Sequence, residues 1–126
     1  MKIIYVFGNP LVKEDSIPLK LIDKLRKEFP SLKFKEFDTV EDLELGKELN
    51  IIDTVKGIKK VEIIEDIDKI VTEKIYSMHD FDLGYNLKVL KKMKMIDKVR
   101  IFGIPIKISE TEAFEQLKKL IKSNLL

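Results

Sequence analysis

The chain has 126 residues, 44% apolar and 37% charged, with 24 basic side chains against 22 acidic ones for a net charge of +2. That length encloses one hydrophobic core, so residues 1–126 are expected to form a single domain, and charges that nearly cancel argue against a dedicated nucleic-acid binder with a large one-sign field. The absence of cysteine excludes disulfides, iron–sulfur ligation, a thiolate zinc site and a cysteine nucleophile together.

In chain order, "KIIYVFG" (2–8) is an almost unbroken apolar run, the pattern of a central strand covered on both faces. It leads into the loop "NPLVKED". Ser16 is then placed to cap a helix whose apolar positions Ile17, Leu21, Ile22, Leu25 and Phe29 follow helical spacing up to Pro30. "LKFKEFD" (32–38) alternates apolar and charged residues, as a strand near a sheet edge does, and 39–48 reads as a short helix or turn. "LNIIDTV" (49–55) is a second buried strand with Asp53 near its end. "KVEIIED" (60–66) follows after a link too short for a parallel crossover, so the two are expected to pair as an antiparallel hairpin. The stretch "YSMHDFDLG" (76–84) reads as a loop holding His79, the only histidine, ahead of a helix over 81–94 with Leu83, Leu87, Leu90 and Lys94 or Met93 on its stripe. "KVRIFGI" (98–104) is the last buried strand. Ser109 and Glu112 form a capping box for a final helix marked by Phe114, Leu117, Ile121 and Leu125.

These elements define an α/β fold: three layers, α/β/α, around a mostly parallel, twisted, five-stranded sheet with one antiparallel strand. The apolar run at 3–7 is short and enters a turn directly, unlike a signal peptide, and no segment approaches the roughly 20 apolar residues of a membrane span. A cytoplasmic protein is the expectation.

In open α/β sheets, chemistry gathers beyond the carboxyl ends of the parallel strands. Glu14 and Asp15 follow the first strand, Asp53 stands near the end of another, and the segment holding His79 leads by way of a helix into a third. Asp15, Asp53 and His79 are therefore expected at one edge. Two carboxylates and an imidazole suit a divalent transition metal with positions left open for water or substrate. Each residue also has a plainer explanation: Asp15 as a helix cap, Asp53 as a strand-terminal turn residue, and His79 as an exposed loop residue.

The words around these residues resemble one family. "FGNPLVKEDSIPLKLIDKL" is similar to the opening of the hydrogenase maturation endopeptidases, which trim the C-terminus of nickel–iron hydrogenase large subunits. "IIDTV" resembles that family's Asp at the end of a central strand, "SMHDFDLGYNLKVL" its histidine stretch before a helix, and "VRIFGIPIKIS" its last strand and turn. The resemblance covers nearly the whole chain in the right order. It implies an aspartic-type, metal-dependent peptidase that removes the C-terminal extension of a large-subunit precursor. Asp15, Asp53 and His79 would contact nickel, with Asp15 and Asp53 as the catalytic carboxylates and Gly8 and Asn9 as substrate-binding positions. The nickel arrives already installed in the substrate, so no tightly bound cofactor is expected, and the partner is the large-subunit precursor rather than nucleic acid or membrane. Two departures stand out: Ser16 and Pro18 occupy positions where the family usually has glycine. Both suit a helix start and narrow the approach for a substrate backbone. The chain is also shorter than most of the family between Asp38 and Asp53 and at the C-terminus.

Other classes fit less of the sequence. A phosphorelay receiver would use Asp53 as phosphoacceptor in a non-catalytic α/β module, but it needs acids at the end of the first strand, where this chain has Gly8, Asn9 and Pro10. A serine hydrolase could order Ser16, Asp53 and His79, yet there is no Gly-x-Ser-x-Gly elbow. Flavin binding would want a Ser/Thr/Gly-rich phosphate loop after the first strand in place of Pro10, Leu11 and Val12. The lysines at 88, 91, 92, 94 and 98 read either as a solvated helix face or as a dock for an acidic partner or nucleic acid.

Overall fold

The computed structural model describes residues 2–8, 16–37, 43, 48–68 and 78–126, the side chains of 78–83 lying outside that description. Its strands are β1 (Ile3–Val6), β2 (Lys33–Glu36), β3 (Glu48–Val55), β4 (Glu62–Ile64) and β5 (Lys98–Pro105). Its helices are α1 (Ile17–Lys20), α2 (Ile22–Glu28), α3 (Met78–Lys92) and α4 (Glu110–Leu125).

The strands form one five-stranded sheet in the order β2-β1-β3-β5-β4. All neighbours run parallel except β4, which pairs antiparallel with β5. The sheet is covered on both faces, which accounts for the near-continuous apolar runs of its central strands. Ile4 and Val6 of β1, Ile52 of β3, and Phe102 and Ile104 of β5 pack with apolar residues of α1, α2 and α4. The alternate residues Tyr5, Ile51, Val55, Val99 and Ile101 pack on the other face with Leu87 of α3. The expected three-layer α/β/α fold with one antiparallel strand is the observed one.

The hairpin expected between 49–55 and 60–66 is not formed. β5 lies between the two, pairing with β3 over eight residues and with β4 over three. The link after β3 turns at Gly57, with φ 81°, and carries the chain past β5 to the sheet edge. The reason is burial. Every residue of β5 after Lys98 is buried, whereas Glu62, Ile63 and Ile64 are only half-buried. The more apolar strand takes the slot covered on both faces, and the short acidic one closes the edge.

The first helix is interrupted rather than continuous. Ser16 precedes α1 as its N-cap in a helical conformation, with no side-chain capping bond, and Pro18 sits in the first turn. The Leu21 N–H donates to the Pro18 carbonyl three residues back, and the regular pattern resumes with Leu25 donating to Leu21. α3 starts at Met78, three residues earlier than the spacing predicts, so His79 belongs to a first helical turn and not to a loop. It ends as Lys94 takes φ 63°. β2 is an edge strand as expected, and the segment 39–48 lies outside the described residues apart from Leu43 and Glu48, the latter already in β3. At α4 the Ser109 side chain accepts from the Glu112 N–H at 3.1 Å, the expected N-terminal cap. Lys118 and Lys122 each lie 3.7 Å from Glu28, tying α4 to α2. Among the described residues no helix is long and apolar enough to cross a membrane.

Candidate functional site

The topology brings three chain segments to the carboxyl edge of the parallel strands. β1 ends at Val6 and passes through Phe7, whose N–H donates to the Ile52 carbonyl at 2.9 Å, to the half-buried Gly8. α1 opens at the same edge, with Ser16 buried at its start. α3 leads back into the amino end of β5, so its first turn, which contains His79, lies at the carboxyl end.

Asp53 is the described residue at the centre of this edge. It is not a strand-terminal turn residue: β3 continues to Val55, and Asp53 pairs in register with Gly103 of β5. Alternation along β3 puts its side chain on the α3 face, with Ile51 and Val55. It is only 3% exposed. A carboxylate is costly to bury unless hydrogen-bonded, and Asp53 Oδ1 accepts from the Thr54 N–H at 2.8 Å. A buried, oriented carboxylate on a central strand is the kind of group that holds a cation or activates water.

Asp15 and Asn9, and the side chain of His79, lie outside the described residues. Among the described residues no three His, Asp or Glu side chains gather as a metal site. Asp53 and the first turn of α3 therefore share an edge and a face, and Asp53 is the donor whose surroundings are described.

Two nearby residues escaped the sequence reading. Thr54, fully buried, supplies the N–H that fixes the carboxylate. Glu62 pairs with Gly103 from the other side, so Asp53, Gly103 and Glu62 share one level of the sheet, with the two acids two strand spacings apart, roughly 10 Å. The signal for Glu62 was hidden because its level depends on β4 pairing with β5. Glu62 also lines an open cleft of about 460 Å³ with Gly57, Ile58 and Ile64.

The arrangement argues against three of the alternatives. Receivers and flavodoxins run 2-1-3-4-5, whereas here β5 takes the fourth place and the edge strand β4 is antiparallel. Ser16 is buried at a helix start ten residues past the end of β1, unlike the sharp strand-to-helix elbow of a serine hydrolase.

No protein-family model and no curated protein sequence matches the chain. Solved structures match at the level of fold. The hydrogenase maturating endopeptidase HybD from E. coli is similar over 99% of this chain and 94% of its own, with a TM-score of 0.68 and 18% identity. An endopeptidase from Escherichia coli solved in solution is similar over 98% of this chain and 94% of its own, with a TM-score of 0.68 and 19% identity. An uncharacterized protein from Wolinella succinogenes has a TM-score of 0.57 at 15% identity, over 97% of both chains. At these identities the likeness is one of fold, and it extends over essentially the full length of each chain.

Proposed function

We propose that the protein is an endopeptidase that removes the C-terminal extension of a nickel–iron hydrogenase large-subunit precursor once nickel has been inserted. The observation that carries this reading is the full-length fold shared with two endopeptidases, one of them hydrogenase-maturating, in a chain whose Asp53 is buried and oriented at the carboxyl edge of β3. In this reading Asp15, Asp53 and His79 contact nickel that the substrate brings, and Gly8 and Asn9 border the substrate chain. The donor chemistry is consistent with that role: oxygen and imidazole ligands without thiolate suit a first-row divalent ion already held on its other side by the precursor.

Peptide hydrolysis needs an attacking water and a polarised carbonyl. A carboxylate at this edge would serve as base for the water, or nickel brought by the substrate would polarise the carbonyl; either supplies the activation. The buried position of Asp53 suits the first task, because a carboxylate screened from bulk water keeps its orientation when substrate excludes solvent. The test is processing of a nickel-loaded precursor by Asp15→Asn, Asp53→Asn and His79→Ala. Each is expected to abolish cleavage while the protein stays folded. Normal cleavage by two of the three would overturn the assigned site.

A further inference from the structure

The outward side of α3 presents an apolar ridge that packing among the described residues does not use. Tyr85, Val89 and Met93 are 57%, 37% and 63% exposed and stand four residues apart, one above another on successive turns. Gly84 and Leu87, on the opposite side of the helix, are buried against the sheet. Single exposed apolar residues are ordinary. Three in one column form a strip that spans about 12 Å at 1.5 Å rise per residue.

The strip has a basic border. Between 88 and 98 there are five lysines (Lys88, Lys91, Lys92, Lys94 and Lys98) against one acid, Asp97, although the chain as a whole nearly balances. Lys88 and Lys92 stand beside the ridge on the helix surface, both exposed. Lys88 reaches Asp68 at 2.7 Å, the single acidic contact at this border among the described ion pairs.

We infer that this face docks an acidic, amphipathic helical segment of a partner polypeptide. Tyr and Met at the centre of a strip with lysine confined to its rim is the residue distribution of a protein interface, and an apolar ridge two turns long matches what one face of an amphipathic helix offers. The lysine border selects glutamate- or aspartate-flanked partners and repels basic ones. Nucleic acid is disfavoured because the strip at the centre is apolar and the overall charge is +2. A membrane surface is disfavoured because an interfacial helix needs one broad apolar face, and the buried side of α3 already faces the sheet. The inference does not depend on peptidase activity, and the two can fail separately.

The test is an NMR titration of the ¹⁵N-labelled protein with a synthetic peptide of about five helical turns, leucine along one face and glutamate along its flanks. Shift changes are expected to map to residues 85–98, with binding weakened by about tenfold or more in Tyr85→Ser/Val89→Ser/Met93→Ser and in Lys88→Glu/Lys92→Glu. Binding should also weaken as salt rises from about 50 to about 500 mM. A scrambled peptide and one with lysine replacing glutamate are expected to leave these residues unmoved. All the substituted side chains are exposed, and thermal unfolding checks that the variants are folded. The inference is overturned by no shift at 85–98 with the acidic peptide, or by equal binding of the scrambled peptide. It is also overturned if the same residues respond instead to phosphatidylserine–phosphatidylcholine vesicles or to an oligouridine, or if sedimentation shows the ridge covered by a second copy of the chain.

Discussion

Asp53 of β3 and Gly103 of β5 stand opposite each other in the longest parallel pairing described in the sheet. The glycine is required by what surrounds it. A Cβ at 103 would come within 2.7 Å of Val55 Cγ2, 3.2 Å of Ile64 Cδ1 and 3.4 Å of Ile58 Cδ1. Val55 is buried and β-branched, so it has little freedom to move aside. Gly103→Ala is expected to destabilise the fold by about 1–3 kcal/mol, as overpacking does. A lowered urea midpoint with an unchanged slope would show it. An unchanged midpoint would mean that the strand pair opposite Asp53 is looser than the packing implies.

Two substitutions at Asp53 separate its chemistry from its structural role. Asn keeps an oxygen acceptor for the Thr54 N–H, so Asp53→Asn is expected to lose processing with little change in melting temperature. Asp53→Ala removes that acceptor inside the sheet and is expected to cost a further 1–3 kcal/mol or about that. Calorimetry on both variants checks the order. Equal stability of the two would mean that the hydrogen bond contributes nothing.

A second buried polar pair lies toward the amino end of the same strands. Arg100, 8% exposed, donates from Nη1 to Asn50 Oδ1 at 3.1 Å, and its Nε has no hydrogen-bond partner among the described residues. Asn50→Ala strips the charged group of this acceptor, at about 1.5–3 kcal/mol. Arg100→Met removes the charge and its unpartnered nitrogen together and is expected to cost less. Urea denaturation of the two single variants gives the comparison, and the reverse order would contradict it.

The exposed pair between Lys88 and Asp68 has a defined pH signature. Hydrogen bonding to Asp68, reinforced by its charge, raises the Lys88 pKa above the ordinary lysine value of 10.5. A group whose pKa is raised on folding adds stability that is fully present below its unfolded value and is lost as pH climbs through the folded one. Any stability difference between wild type and Asp68→Asn should therefore be seen at neutral pH and vanish in strongly alkaline solution. A difference that persists there would assign Asp68 another role. Because both partners are exposed, the neutral-pH difference is expected to be small.

Periodicity identified the parts that depend on one segment alone. The apolar runs of β1, β3 and β5, the alternating edge strand β2 and the Ser109 cap are all present where their residues predict them. What it missed depends on competition between segments. Glu62, Ile63 and Ile64 read as a strand, but whether they pair with β3 or β5 turns on which strand is apolar enough for the inner slot. The early start of α3 at Met78 was concealed by the polar residues around His79, which read as loop when taken alone. At the site, the common edge of Asp53 and the first turn of α3 followed from strand direction, whereas the burial of Asp53 follows from its position within β3, two residues short of the strand's end, and from cover by α3.

The central claim is that cleavage waits for nickel held by the substrate. The most direct measurement is electrophoretic mobility of a hydrogenase large-subunit precursor after incubation with the purified protein, the precursor having been prepared with and without inserted nickel. The account predicts loss of the C-terminal extension from the nickel-loaded precursor, none from the nickel-free one, and no digestion of an unfolded general substrate such as casein. Cleavage of the nickel-free precursor at a comparable rate would contradict it and identify an autonomous hydrolase instead.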